Sequence, residues 1–107
     1  MARQFVYMTA GSREEAERIG KALVEKRVAA CVNIIDAMHS IYRWEGAIQK
    51  DREVVMIAKT TRRRLPELID TVNAMHSYDC PCIISFDIDG GNPAFLAWIG
   101  AEVGEEQ

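Results

Sequence analysis

Residues 29–60 read AACVNIIDAMHSIYRWEGAIQKDREVVMIAKT, and this stretch decides the fold. Two runs rich in Val, Ile, Tyr and Trp flank Glu45-Gly46, and a polar residue followed by Gly suits a two-residue turn with positive φ. One long β-hairpin results, with Trp44 opposite Ala47, Tyr42 opposite Gln49 and a bulge near Asp36-Ala37. Each strand would run about 12 to 14 residues, roughly twice the usual length. Such an arm outgrows the core of a small domain. Its distal part, residues 40–52, mixes aromatic with charged side chains, so it should project and lie on a neighbour, most economically another copy of the chain.

Upstream, residues 5–9 form a short β-branched and aromatic strand ended by Gly11. Ser12 with Glu15 three residues on makes a capping box, and Ala16, Ile19, Gly20, Leu23 and Val24 follow as one apolar helical stripe. Downstream, Leu65, Leu68, Ile69, Val72 and Met75 mark a second amphipathic helix, with Pro66 tolerated near its first turn. Residues 76–79 end that helix and residues 81–88 form the last strand, with Pro81 at its entry. Asn92 as N-cap and Pro93 as first helical residue open a terminal helix carrying Phe95, Trp98 and Ile99, and residues 103–107 fray.

The order β-α-β-β-α-β-α predicts an α+β, ferredoxin-like βαββαβ fold with an added C-terminal helix, as a single domain over residues 1–107. Two helices cover only one face of the sheet. The other face still carries alternate apolar side chains, which predicts self-association through it.

Composition narrows the function. The chain has 107 residues, 49% of them hydrophobic, and a net charge of -3. No apolar run is long enough for a membrane helix, and the N-terminal residues do not read as a secretory signal, so a cytoplasmic location is expected. Three cysteines without disulfide spacing suit a reducing compartment. The negative balance speaks against a nucleic-acid partner, and Arg62-Arg63-Arg64 reads as a solvated helix start. A phosphate cradle of Gly-rich loop plus Arg is missing, as is a Ser-His-Asp or Cys-His arrangement, so no enzymatic activity is expected.

Met75, His76, Cys80 and Cys82 fall within eight residues. Thioether, imidazole and thiol together suit Cu(I), and the imidazole also suits Cu(II) or Zn(II). On a strand, Cys80 and Cys82 would face the same side, although thiols also serve as buried apolar groups. His76 can act as a helix C-cap or as a ligand. Cys31 reads as a packed thiol, and His39 is a second imidazole on the arm. Lys59, at an apolar strand end, needs a carboxylate partner or an intersubunit cleft. Tyr42, Trp44 and Tyr78 would line that cleft, or Tyr42 and Trp44 would simply pack on a neighbouring subunit.

Several segments together resemble the CutA divalent-cation-tolerance family: residues 29–35 (AACVNII), residues 40–46 (SIYRWEG), Lys59-Thr60, the spacing His76-x-Tyr78-x-x-Pro81-x-Ile83, and Gly91-Asn92-Pro93 leading to Trp98. The resemblance implies a tight homotrimer similar in architecture to the PII signalling proteins, and binding or tolerance of copper and other divalent cations. In some members it also implies copper donors, a first-strand cysteine and a histidine pair, at the positions that here hold Met8, Met75 and His76; the change to thioether either shifts such a site toward Cu(I) or removes it. Two places depart from the family pattern: Ser77 stands where proline is usual, and Cys82 where glutamate is usual. The expected function is thus metal-ion tolerance by a cytoplasmic trimer. The alternative is a PII-like ligand-binding or scaffold trimer that takes a small anion near Lys59, with Tyr42 and Trp44 beside it.

Overall fold

A computed structural model describes residues 2–104. The elements in chain order are β1 (Arg3–Ala10), α1 (Arg13–Glu25), β2 (Cys31–Trp44), β3 (Ala47–Thr61), α2 (Leu65–Met75), β4 (Ile83–Ile88) and α3 (Pro93–Glu102). The strands form one antiparallel sheet of order β2-β3-β1-β4, so each of α1 and α2 links strands separated by one neighbour.

The hairpin has the predicted register. Trp44 pairs with Ala47 and Tyr42 with Gln49, across a turn in which Glu45 (φ 50°) and Gly46 (φ 81°) are both left-handed. The β1 strand pairs with β3 only from Val54 to Thr61. The distal hairpin therefore runs past the sheet as a free arm, and the molecule measures 47 × 25 × 22 Å. The bulge lies where expected: pairing jumps from Ile35↔Val55 to Met38↔Glu53, and Ala37 takes φ 65°.

Val6, Met8 and Ala10 of β1 and Val54, Met56 and Ala58 of β3 are buried against Ala16, Ile19 and Leu23 of α1 and Leu68 and Val72 of α2. A smaller cluster joins Ala30 to Ile99 and Val103. Three arginines fix α3 there: Arg3 Nε donates to the Leu96 carbonyl at 2.8 Å, Arg27 Nη1 to that of Glu102 at 2.9 Å and Arg64 Nε to that of Val103 at 2.9 Å. The last two satisfy carbonyls that the end of a helix leaves open. Arg62 pairs with Asp87, so two members of the basic run are structural.

Four expectations need correction. Val103 does not fray but is fully buried; residues 105–107 lie outside the described residues. Val24 falls off the buried stripe and is exposed. The last strand begins at Ile83 rather than residue 81, because its ladder with β1 starts at Met8↔Ile83 and Pro81 has no N–H to extend it. Finally, Ser12 Oγ accepts from the Glu15 N–H at 3.1 Å as an N-cap, but the Glu15 carboxylate does not return to Ser12. It accepts instead from the Gly11 N–H at 3.3 Å and the Ser77 N–H at 2.7 Å, so it joins the start of α1 to the loop after α2.

Candidate functional site

The sheet face left bare by the helices, the root of the arm and the loop after α2 enclose an open cleft of about 670 Å³. Alternation along β1 places Tyr7 and Thr9 on this side and Val6, Met8 and Ala10 in the core. The bulge sets the phase of β2. Before it Ile35 pairs with Val55, and after it Met38 pairs with Glu53, so Met38, Ser40, Tyr42 and Trp44 share the cleft face. A strand continuing regularly from Ile35 would present His39, Ile41 and Arg43 instead.

The loop after α2 is held by two side chains. His76 caps the helix with its backbone, and its ring, 1% exposed, is used on both nitrogens. Nε2 lies 2.8 Å from the Thr9 carbonyl, and Nδ1 accepts from the Tyr78 N–H at 3.1 Å. A carbonyl can only accept, so Nε2 carries the proton. Glu15 Oε2 is 3.6 Å from Nδ1. The Tyr78 ring then stacks obliquely on His76, with centroids 4.6 Å apart, and its hydroxyl donates to Glu53 Oε2 at 2.9 Å.

Glu53 is the electrostatic centre of the cleft. Burial first, and then its hydrogen bond and charge, push the Tyr78 phenol far above its ordinary range. Burial first, and then the neighbouring Cys82 and Glu53, raise Tyr7. Burial and Glu53 also raise the Cys82 thiol, against a hydrogen bond with Thr9. On the arm, Tyr42 donates to Asp51.

The expected site residues divide. Cys80 and Cys82 line the cleft, the first exposed and the second half-buried, and Tyr42 and Trp44 line it too. They precede β4, so their common side comes from the loop rather than from a strand face. Met8 is fully buried on the other face of the sheet, Met75 packs against the core, and both His76 nitrogens are engaged. The five sulfur and imidazole donors are therefore not brought together. Among the described residues, no three His, Cys, Asp or Glu side chains converge as a cation site. Lys59 also stands apart: its Nζ donates to Asn33, and it lies six positions from Glu53 along β3, about 20 Å at 3.3 Å per residue. Sequence reasoning passed over Tyr7, Met38 and Glu53. The apolar alternation of Val54, Met56 and Ala58 was the signal available for Glu53, because it assigns the odd positions to the opposite face.

A family model described as CutA1 divalent ion tolerance protein matches residues 4–102. The chain belongs to the CutA1 divalent ion tolerance family. A family relative in Archaeoglobus fulgidus, described as divalent-cation tolerance protein CutA, is 50% identical over 99 residues, spanning 92% of this chain and 96% of the relative. The crystal structure of CutA1 from Oryza sativa superposes with a TM-score of 0.95 at 36% identity, covering 99% of this chain and 97% of that one. A solved Archaeoglobus fulgidus structure, described as the periplasmic divalent cation tolerance protein CutA, gives a TM-score of 0.91 at 48% identity, covering 94% and 98% of the two chains. Among the described residues of this CutA1-family chain, no helix is long and apolar enough to cross a membrane.

Proposed function

We propose that the protein serves metal-ion tolerance as a cytoplasmic, non-enzymatic homotrimer of ferredoxin-like subunits, and that it binds copper through Cys80 and Cys82. The observation that carries the metal reading is the placement of these two thiols, separated only by Pro81, in the lining of one cleft of a chain of the divalent ion tolerance family. Paired thiols favour a soft ion, and Pro81 between them restricts the backbone that spaces them. Copper here is the cargo. The trimer is supported by the bare sheet face, where Ile84 and Phe86 are 50% and 54% exposed, since apolar side chains grouped on an uncovered face mark an association surface. Three free thiols support a reducing compartment.

Native mass spectrometry of the reduced protein with Cu(I), Cu(II) and Zn(II) tests this reading. A trimer carrying up to three copper ions, lost in Cys80→Ser/Cys82→Ser, is expected. A trimer that stays metal-free rejects the metal reading.

A second reading, a small-ligand-binding trimer, is favoured by the aromatic wall of the cleft. The distance of Lys59 from that wall speaks against an anion as its ligand.

A further inference from the structure

We infer that the cleft is a receptor for a small organic cation, an alkyl- or arylammonium ion held between the aromatic wall of the arm and the carboxylate of Glu53. The inference rests on the small-ligand reading of the cleft and is independent of copper.

Charge is the first argument. Among the described residues, the cleft is lined by the carboxylates of Glu53 and Asp79 and by no lysine or arginine, with His39 as its only basic side chain. Glu53 is only 9% exposed. It was taken out of water with a single phenol donor identified, the Tyr78 hydroxyl on Oε2. A carboxylate offers about four acceptor positions, so Glu53 retains capacity for a ligand N–H or a close positive charge, and a buried carboxylate gains most from such a partner.

The direction of the hydroxyls is the second argument. The three phenols of the cleft all donate within the protein: Tyr7 to Met38 Sδ, Tyr42 to Asp51 and Tyr78 to Glu53. Their protons are not available to an anion. What they and Trp44 offer is ring surface, with Tyr42 40% and Trp44 46% exposed in the single chain. Aromatic faces attract cations through their quadrupole, tryptophan most strongly. A volume of about 670 Å³ also lies within the usual range for small-molecule sites.

The test uses the metal-free, full-length protein carrying Trp98→Phe and Cys80→Ser/Cys82→Ser, so that Trp44 is the sole tryptophan and copper cannot contribute. Benzyltrimethylammonium, benzyl alcohol and benzoate are titrated against Trp44 fluorescence. Saturable quenching by the ammonium ion at millimolar concentration is expected, with the alcohol and benzoate weaker by about tenfold or more. Glu53→Gln should weaken the ammonium ion severalfold without changing the alcohol. If Glu53→Gln does not fold, Tyr42→Leu and Asp79→Asn provide the same comparison. Equal responses to all three probes, or no saturable response because a neighbouring arm fills the cleft, would overturn the inference. Copper uptake by the parent protein is scored separately, so loss of the metal reading leaves this result standing and the reverse holds too.

Discussion

The Tyr78 hydroxyl donates to Glu53 Oε2 at 2.9 Å, which ties the loop after α2 to the root of the arm. Glu53 is buried, so its carboxylate depends on donors from the protein. Tyr78→Phe removes one and is expected to cost about 1 to 3 kcal/mol, the usual range for a hydrogen bond to a buried charged group. Urea unfolding measures the loss. The double variant with Glu53→Gln should cost less than the sum of the two single variants, because the charge that needed the hydroxyl is gone. Strict additivity would mean that water replaces the phenol.

Glu15 supplies a pH dependence. Burial disfavours its charge, but hydrogen bonds from the Ser77 and Gly11 N–H groups and the nearby His76 ring outweigh it, so the carboxyl titrates below its ordinary value of 4.5. A group with a depressed folded pKa stabilises fully above its unfolded value and loses that contribution as pH falls through the folded one. The denaturation midpoint should therefore decline below about pH 4.5, and Glu15→Gln should flatten the decline while lowering stability at neutral pH. A variant as steep as the parent would assign the acid sensitivity to other carboxylates.

The architecture was legible because its signals are local. Glu45-Gly46 specified the turn, the turn specified the register, and period-3.6 stripes located α1 and α2. The bulge was legible too, and the pairing of Tyr42 with Gln49 put Tyr42 and Trp44 on the face of Glu53 by strand parity, but that this face forms a cleft with the loop after α2 depends on tertiary placement. The tertiary partners were also out of reach of sequence spacing. His76 spends its ring on Thr9, a contact 67 positions away, and Met8 lies on the core side of β1 because of strand parity. Lys59 found an amide, Asn33, rather than a carboxylate. The identity of Glu15 as a cross-loop anchor was hidden because Ser12 and Glu15 are also spaced for a purely local cap.

The hairpin turn allows a test in both directions. Gly46 has φ 81°, and a Cβ there would touch nothing, so Gly46→Ala isolates the backbone term and should cost about 1 to 2 kcal/mol. Glu45 carries φ 50°, where Asn is better tolerated than Glu. Glu45→Asn should therefore raise the thermal midpoint slightly. If both substitutions are silent, the tip of the arm is uncoupled from global unfolding, and hydrogen exchange at residues 43–48 would then show early opening.

Phe86 and Phe5 meet on the uncovered face with ring centroids 6.4 Å apart, and Phe86 is still half exposed in the single chain. If that face is the trimer interface, as proposed, burying the half of Phe86 still exposed contributes about 1 kcal/mol by area alone, in each of three copies. Phe86→Asp also places a carboxylate in an apolar contact, where it has no partner. The variant should sediment as a monomer at micromolar concentration while its far-ultraviolet circular dichroism stays native, since the residue lies outside the core between the helices and the sheet. Arm variant Trp44→Ala should weaken assembly less, because the arm adds contact at the periphery. An intact Phe86→Asp trimer beside a dissociated Trp44→Ala would reverse these roles, making the arm the principal interface and leaving the bare sheet face for another partner.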